Sequence, residues 1–136
     1  MLGVVVVTHG QLATELVNAA EMIVGDLPRF AAVSIGWHDD VEQAREEIAQ
    51  AIARLDGGEG VIVLTDMFGG TPSNLAMSLL EEGRVEVVTG VNLPILIKLA
   101  NLREMVGLRE VARRVREDGR NAIWVASDLL QGEQPV

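Results

Sequence analysis

The stretch LGVVVV, residues 2–7, is an apolar run dominated by β-branched valines. A run with no polar residue on either face is typical of a strand that is buried on both sides, as in parallel sheets covered by helices. Thr8, His9 and Gly10 follow it directly, before a helical pattern begins. The run therefore predicts an interior strand of an α/β sheet, with polar side chains at its carboxyl end.

Strand and helix patterns alternate along the rest of the chain. Further strands are predicted at residues 30–35, 61–65, 85–88 and 122–126, and helices at 11–24, 39–55, 71–82, 93–102 and 108–118, with a break near Gly107. This alternation indicates a three-layer, doubly wound α/β fold with a mainly parallel sheet in the order 2-1-3-4 and helices on both faces. The fifth, C-terminal strand is expected to be antiparallel.

Length and composition favour one domain, residues 1–130, followed by a flexible tail at 131–136. The 136 residues include no cysteine, which excludes disulfides and thiolate chemistry, and two histidines without cysteine make a metal site unexpected. No signal peptide pattern or membrane-spanning run is present, so we expect a cytoplasmic protein with no direct membrane insertion. The formal net charge of -9 disfavours nucleic acid as a partner.

The chemistry is expected beyond the carboxyl ends of strands 1 and 3, because doubly wound sheets bind ligands where the strand order reverses. His9 follows strand 1, and Asp66 follows strand 3 at the head of the segment DMFGGTPSN, residues 66–74. His9 and Asp66 are the candidate catalytic residues. The candidate phosphate-binding residues around them are Thr8, Gly10, Thr65, Gly69, Gly70, Thr71 and Ser73.

These residue types suit a phosphohistidine and require no cofactor. Neutral imidazole is a nucleophile near neutral pH, and a carboxylate such as Asp66 fixes its tautomer. Two helix N-termini direct N–H groups and positive dipole ends at an anion, and Gly69 and Gly70 let the backbone approach it. Each residue taken singly has an ordinary structural interpretation: the histidine as a loop residue, Asp66 as a turn residue and the glycines as a tight connection. Their convergence at one edge of the sheet favours a functional site. His38 follows an edge strand, and the segment Trp37–Asp39 that contains it is expected in an exposed loop, with the border of a partner surface as the alternative.

Three segments resemble the enzyme IIA domain of the mannose/fructose/sorbose family of the bacterial phosphoenolpyruvate-dependent sugar phosphotransferase system. They are VVTHG at 6–10, LTDMFGGTPSN at 64–74 and GVNLP at 90–94. The resemblance implies a phosphotransferase that accepts phosphate from the phosphocarrier HPr at Nε2 of His9 while Asp66 holds Nδ1. It implies a IIB component as the next phosphate acceptor. It also implies a homodimer, and in some members of the family the two subunits exchange the last strand.

Two departures from the family pattern leave alternatives open. Many members carry Phe where Ser73 stands, and the sequence ends after one domain, so a IIB component is expected on a separate chain or transport does not occur. The alternative is a stand-alone regulatory phosphoprotein whose His9 signals to a regulatory protein. A response-regulator receiver is disfavoured, because Thr8 and His9 stand where it needs an acidic pair. The phosphocarrier subunit of dihydroxyacetone kinases resembles the family at the histidine, but the GGTP loop at 69–72 favours the sugar system.

Overall fold

The computed structural model describes residues 1–102 and 107–132. In chain order, the elements are β1 (Gly3–His9), α1 (Leu12–Val24), β2 (Phe30–Ile35), α2 (Val41–Leu55), β3 (Val61–Thr65), α3 (Thr71–Ser78), β4 (Val85–Thr89), α4 (Leu93–Leu102), α5 (Leu108–Asn121) and α6 (Ala126–Leu130). Among the described helices, none combines the length and the apolar character that crossing a membrane requires.

The four strands form one parallel sheet in the order β2-β1-β3-β4, which confirms the predicted order. In the register of this sheet, His9 lies opposite Ile35, and Val7 lies opposite Thr65. Because all four strands run the same way, the segments that follow them lie at one edge of the sheet. The segments after β1 and β3 are therefore neighbours at that edge.

Helices cover both faces of the sheet, and the valines of β1 divide between the two resulting cores. Val4 and Val6 pack on the side of α1, α4 and α5, whereas Val5 and Val7 pack on the side of α2 and α3. All four valine side chains are fully buried. The valine run is thus a strand buried on both faces, as its composition predicts.

The predicted fifth strand at residues 122–126 is not present among the described residues of the single chain. Residues 122–125 lie in neither a helix nor a strand, and the short helix α6 begins at Ala126. The apolar residues 123–125 have the composition of a strand, but strands are stabilised by cross-strand pairing, and this segment pairs with no strand in the described chain. The predicted antiparallel C-terminal strand is not confirmed. Of the predicted tail, Gln131 and Gly132 form a turn, and residues 133–136 lie outside the described residues.

Candidate functional site

His9 and Asp66 form a hydrogen-bonded pair at the carboxyl edge of the sheet. His9 ends β1, and Asp66 comes directly after β3, the strand beside it. Nδ1 of His9 lies 2.8 Å from Oδ2 of Asp66, and the backbone N–H of His9 donates to the same oxygen at 3.0 Å. The backbone N–H of Met67 donates to Oδ1 at 3.1 Å. The carboxylate therefore makes hydrogen bonds through both of its oxygens.

The ionisation of Asp66 determines which nitrogen of His9 is free. Burial raises the pKa of Asp66, but the hydrogen bonds from the ring and the backbone N–H of His9 outweigh it, and the pKa lies below its ordinary value of 3.8. At neutral pH this carboxylate is ionised and only accepts hydrogen bonds, so Nδ1 carries the proton of the neutral ring. The lone pair of that ring is then on Nε2, which is the nucleophilic nitrogen.

Nε2 lies against the first residues of α3. Gly70 is the N-cap of this helix with φ +86°, and a Cβ atom built on it would lie 3.3 Å from Nε2 and 3.2 Å from Cε1 of His9. The N–H groups at the start of a helix lack intrahelical partners and carry the positive end of its dipole. A group bonded to Nε2 would therefore lie beside this helix terminus. The His9 side chain is 52% exposed, so a partner can reach it.

The residues on either side of His9 hold it in place. The Thr8 side chain is buried, and its Oγ1 accepts a hydrogen bond from the backbone N–H of Ala13 at 2.7 Å, in the first turn of α1. The N–H of Gly10 donates to the carbonyl of Ile35 at 2.9 Å. Thr8 and Gly10 therefore anchor the end of β1 to α1 and β2.

The other predicted site residues divide between the surface and the core. Gly69 and Thr71 lie beside Gly70, and Thr71 is exposed in the first turn of α3. Thr65 and Ser73 are fully buried: the Thr65 hydroxyl has no hydrogen-bond partner among the described residues, and the Ser73 hydroxyl donates to Sδ of Met77 at 3.6 Å. Both side chains are buried, and a direct role for their hydroxyls in phosphate binding stays a prediction.

Sequence reasoning considered a partner surface only at residues 37–39, and it did not identify the other exposed apolar side chains in the segments that follow the strands. The side chains of Leu12, Trp37, Met67 and Phe68 are exposed, and they belong to the segments that follow β1, β2 and β3. A signal for them existed, because the chain has only two tryptophans and two phenylalanines, and one of each follows a predicted strand. His38 is exposed in the segment after β2, as expected. In the described part of the chain, no cluster of three or more His, Asp or Glu side chains could hold a metal ion.

Comparisons with known proteins identify the family to which the chain is similar. Residues 3–116 match the family described as the fructose IIA component of the phosphotransferase system. The chain is 30% identical over 132 residues to the fructose-specific EIIA component of Bacillus subtilis, covering 96% of this chain and 90% of that protein. It is 33% identical over 104 residues to the mannose-specific EIIAB component of Escherichia coli K12, covering 76% of this chain and 32% of that longer protein.

A solved structure has the same fold. The IIA protein associated with the fucose utilization operon of Streptococcus pneumoniae superimposes with a TM-score of 0.83 and 28% identity, over 94% of this chain and 95% of that one. The family match covers most of the chain, and its segments carry His9 and Asp66. The chain therefore belongs to the IIA components of the mannose/fructose/sorbose family of the phosphotransferase system.

Proposed function

We propose that this chain is a phosphocarrier that receives a phosphoryl group from phospho-HPr on Nε2 of His9 and passes it to a IIB component during sugar uptake. The observation that carries the proposal is the 2.8 Å contact between Nδ1 of His9 and Oδ2 of Asp66. This contact leaves Nε2 as the basic nitrogen and directs it away from the carboxylate. Family membership supports the same role.

The transfer step needs no group beyond the two proteins. The lone pair on Nε2 of His9 forms a bond to phosphorus, and the bond from phosphorus to the donor's ring nitrogen breaks, with its electron pair returning to that nitrogen. The proton on Nδ1 of His9 stays there, so the phosphorylated ring gains positive charge. Asp66, fixed by three hydrogen bonds, stabilises that charge without reorganising.

The start of α3 supplies the complementary charge for the phosphoryl oxygens. Gly70 has no Cβ atom and lies against the ring edge that carries Nε2, so backbone N–H groups can approach a dianion there. The partial positive charge of the helix terminus favours that dianion. Together, Asp66 and α3 stabilise the two opposite charges that phosphorylation creates.

The test is incubation with phosphoenolpyruvate, enzyme I and HPr, followed by mapping of the phosphate. The wild-type chain should be labelled on His9 alone, His9→Ala should take up no label, and His38→Ala should be labelled as wild type. Label on the His9→Ala protein would contradict the assignment. Addition of a IIB component should then remove the label, whereas label that stays on His9 would favour the regulatory alternative.

A further inference from the structure

Helix α5 carries four arginines along the side that faces β4, and we call them the arginine row: Arg109, Arg113, Arg116 and Arg120. All four residues are exposed. They are separated by four, three and four positions, a spacing that places side chains on one side of an α-helix. The helix holds five of the chain's 11 basic residues, although the formal net charge of the chain is -9. The charge of this surface is thus opposite to that of the protein as a whole.

The arginine row forms one wall of a groove whose other wall is β4. Residues 86–90 line the β4 side, and all four arginines line the α5 side. The groove has a volume of about 510 Å³, which is within the range of small-molecule binding sites. The arginine row therefore borders a concave surface and not a flat helix face.

The described chain supplies little counter-charge to the arginine row. Glu117 pairs with the two arginines nearest the C-terminus of α5, at 3.0 Å and 3.2 Å. Among the described residues, Arg109 and Arg113 have no ion-pair partner. Glu86 is the acidic residue of the described groove lining, and its carboxylate accepts from the backbone N–H of Val87 at 3.0 Å. Half of the row is therefore free to bind an anion.

An exchange of the last strand between two subunits would not neutralise the arginine row. The segment concerned, residues 121–127, contains no aspartate or glutamate. Apolar side chains such as those of Ile123 and Val125 cannot accept hydrogen bonds from a guanidinium group, which has five N–H donors. The row therefore lacks a counter-charge in the single chain and in such a dimer alike.

The acidity of the rest of the chain limits the size of the anion. Helix α5 has five arginines and three acidic residues, so its formal charge is +2 and that of the rest of the chain is -11. A membrane surface or a nucleic acid extends beyond the groove and is repelled by this charge, whereas a compact anion contacts only the arginine row. Guanidinium groups bind phosphate and carboxylate groups through paired N–H donors. Neighbouring arginines of the row are about 5 Å apart along the helix axis, so two anionic groups of one ligand can each meet an arginine.

We propose that the arginine row binds a compact polyanion, a small molecule with two or more phosphate or carboxylate groups, in the groove between α5 and β4. Arg109 and Arg113 provide the central contacts, because no ion pair of the described chain has to be broken to use them. The site lies on a different element from His9 and Asp66, and it does not depend on the proposed function.

The experiment is isothermal titration calorimetry of the full chain with three probes: inorganic tripolyphosphate, citrate and inorganic phosphate. Tripolyphosphate or citrate should bind at one site per chain, and the tighter of the two identifies phosphate or carboxylate as the preferred group. Inorganic phosphate should bind at least about 10-fold more weakly, because a single group spans less of the row. Arg113→Gln should weaken binding of the tighter probe by about 10-fold, since a hydrogen-bonded charge pair is lost.

Arg114→Gln is the matched control, because Arg114 is exposed on the same helix but does not line the groove. It removes the same charge and should leave the affinity unchanged. A wild-type chain that binds neither tripolyphosphate nor citrate at millimolar concentration would overturn the site. An equal loss of affinity in Arg113→Gln and Arg114→Gln would overturn it too, because binding would then follow the overall charge of α5. Labelling of His9 plays no part in these measurements, so a failure of the proposed function would leave their outcome unchanged.

Discussion

At the scale of single residues, the contact between His9 and Asp66 is the feature from which the chemistry follows. In Asp66→Asn the amide can still hydrogen-bond the ring, but it carries no charge to stabilise the phosphorylated imidazole. We expect this variant to fold and to accept phosphate from phospho-HPr at least about 100-fold more slowly. Single-turnover labelling measures the rate, and a wild-type rate would show that the charge of Asp66 has no role in transfer.

The same pair makes the stability of the protein depend on pH. Because the pKa of Asp66 is lower in the folded protein than its ordinary value of 3.8, its ionised form stabilises the fold above that pH, and the contribution is lost as pH falls through the folded pKa. The gap in unfolding free energy between wild type and Asp66→Asn should therefore shrink below about pH 3.8. Urea unfolding at a series of pH values measures the gap, and a constant gap would contradict the predicted titration.

At the scale of elements, the N-cap of α3, Gly70, lies close to the ring of His9. Gly69 and Gly70 both have φ +86°, but only at Gly70 would a Cβ atom contact His9; at Gly69 it would meet nothing within 4 Å. We expect both alanine variants to lose about 1 kcal/mol or more of stability through backbone strain. Only Gly70→Ala should also slow phosphorylation of His9 well beyond any effect of Gly69→Ala. Thermal unfolding and labelling, measured on both proteins, test this, and equal rates would contradict the predicted contact.

The elements also show what the sequence could and could not predict. Hydrophobic patterns located the four strands of the sheet and placed His9 and Asp66 together, because parallel strands end at one edge. Local boundaries were less predictable: α2 begins at Val41, after its N-cap Asp40, rather than at residue 39, and α3 ends at Ser78 rather than near residue 82. Both ends depend on local hydrogen bonds, since Asp39 instead accepts from Gly36, and the Ser78 hydroxyl donates to the carbonyl of Leu75. A composition pattern carries no information about such competition.

At the scale of the whole molecule, two features face the solvent. They are the outer edge of β4 and the exposed apolar side chains of residues 123–125. On its outer side, β4 pairs with no strand of the described chain, and an open groove of about 510 Å³ runs between it and α5, lined in part by Glu86, Arg113, Arg120 and Ile123. The side chains of Ile123 and Val125 are 76% and 61% exposed. An open strand edge next to exposed apolar residues favours self-association, in which both are covered.

We therefore predict a homodimer built in part by residues 121–127 of each protomer, which cover the groove beside β4 of the other. Burying Val125 contributes about 1.5–3 kcal/mol per protomer, and a charge at that position would have to be desolvated instead. Val125→Asp should consequently be monomeric at a micromolar concentration at which the wild type is a dimer. Met22→Asp, which places the same charge on an apolar position of α1 that is 87% exposed, should remain dimeric. Size-exclusion chromatography with light scattering measures the masses, and a monomeric wild type, or a dimer that survives Val125→Asp, would contradict the predicted interface.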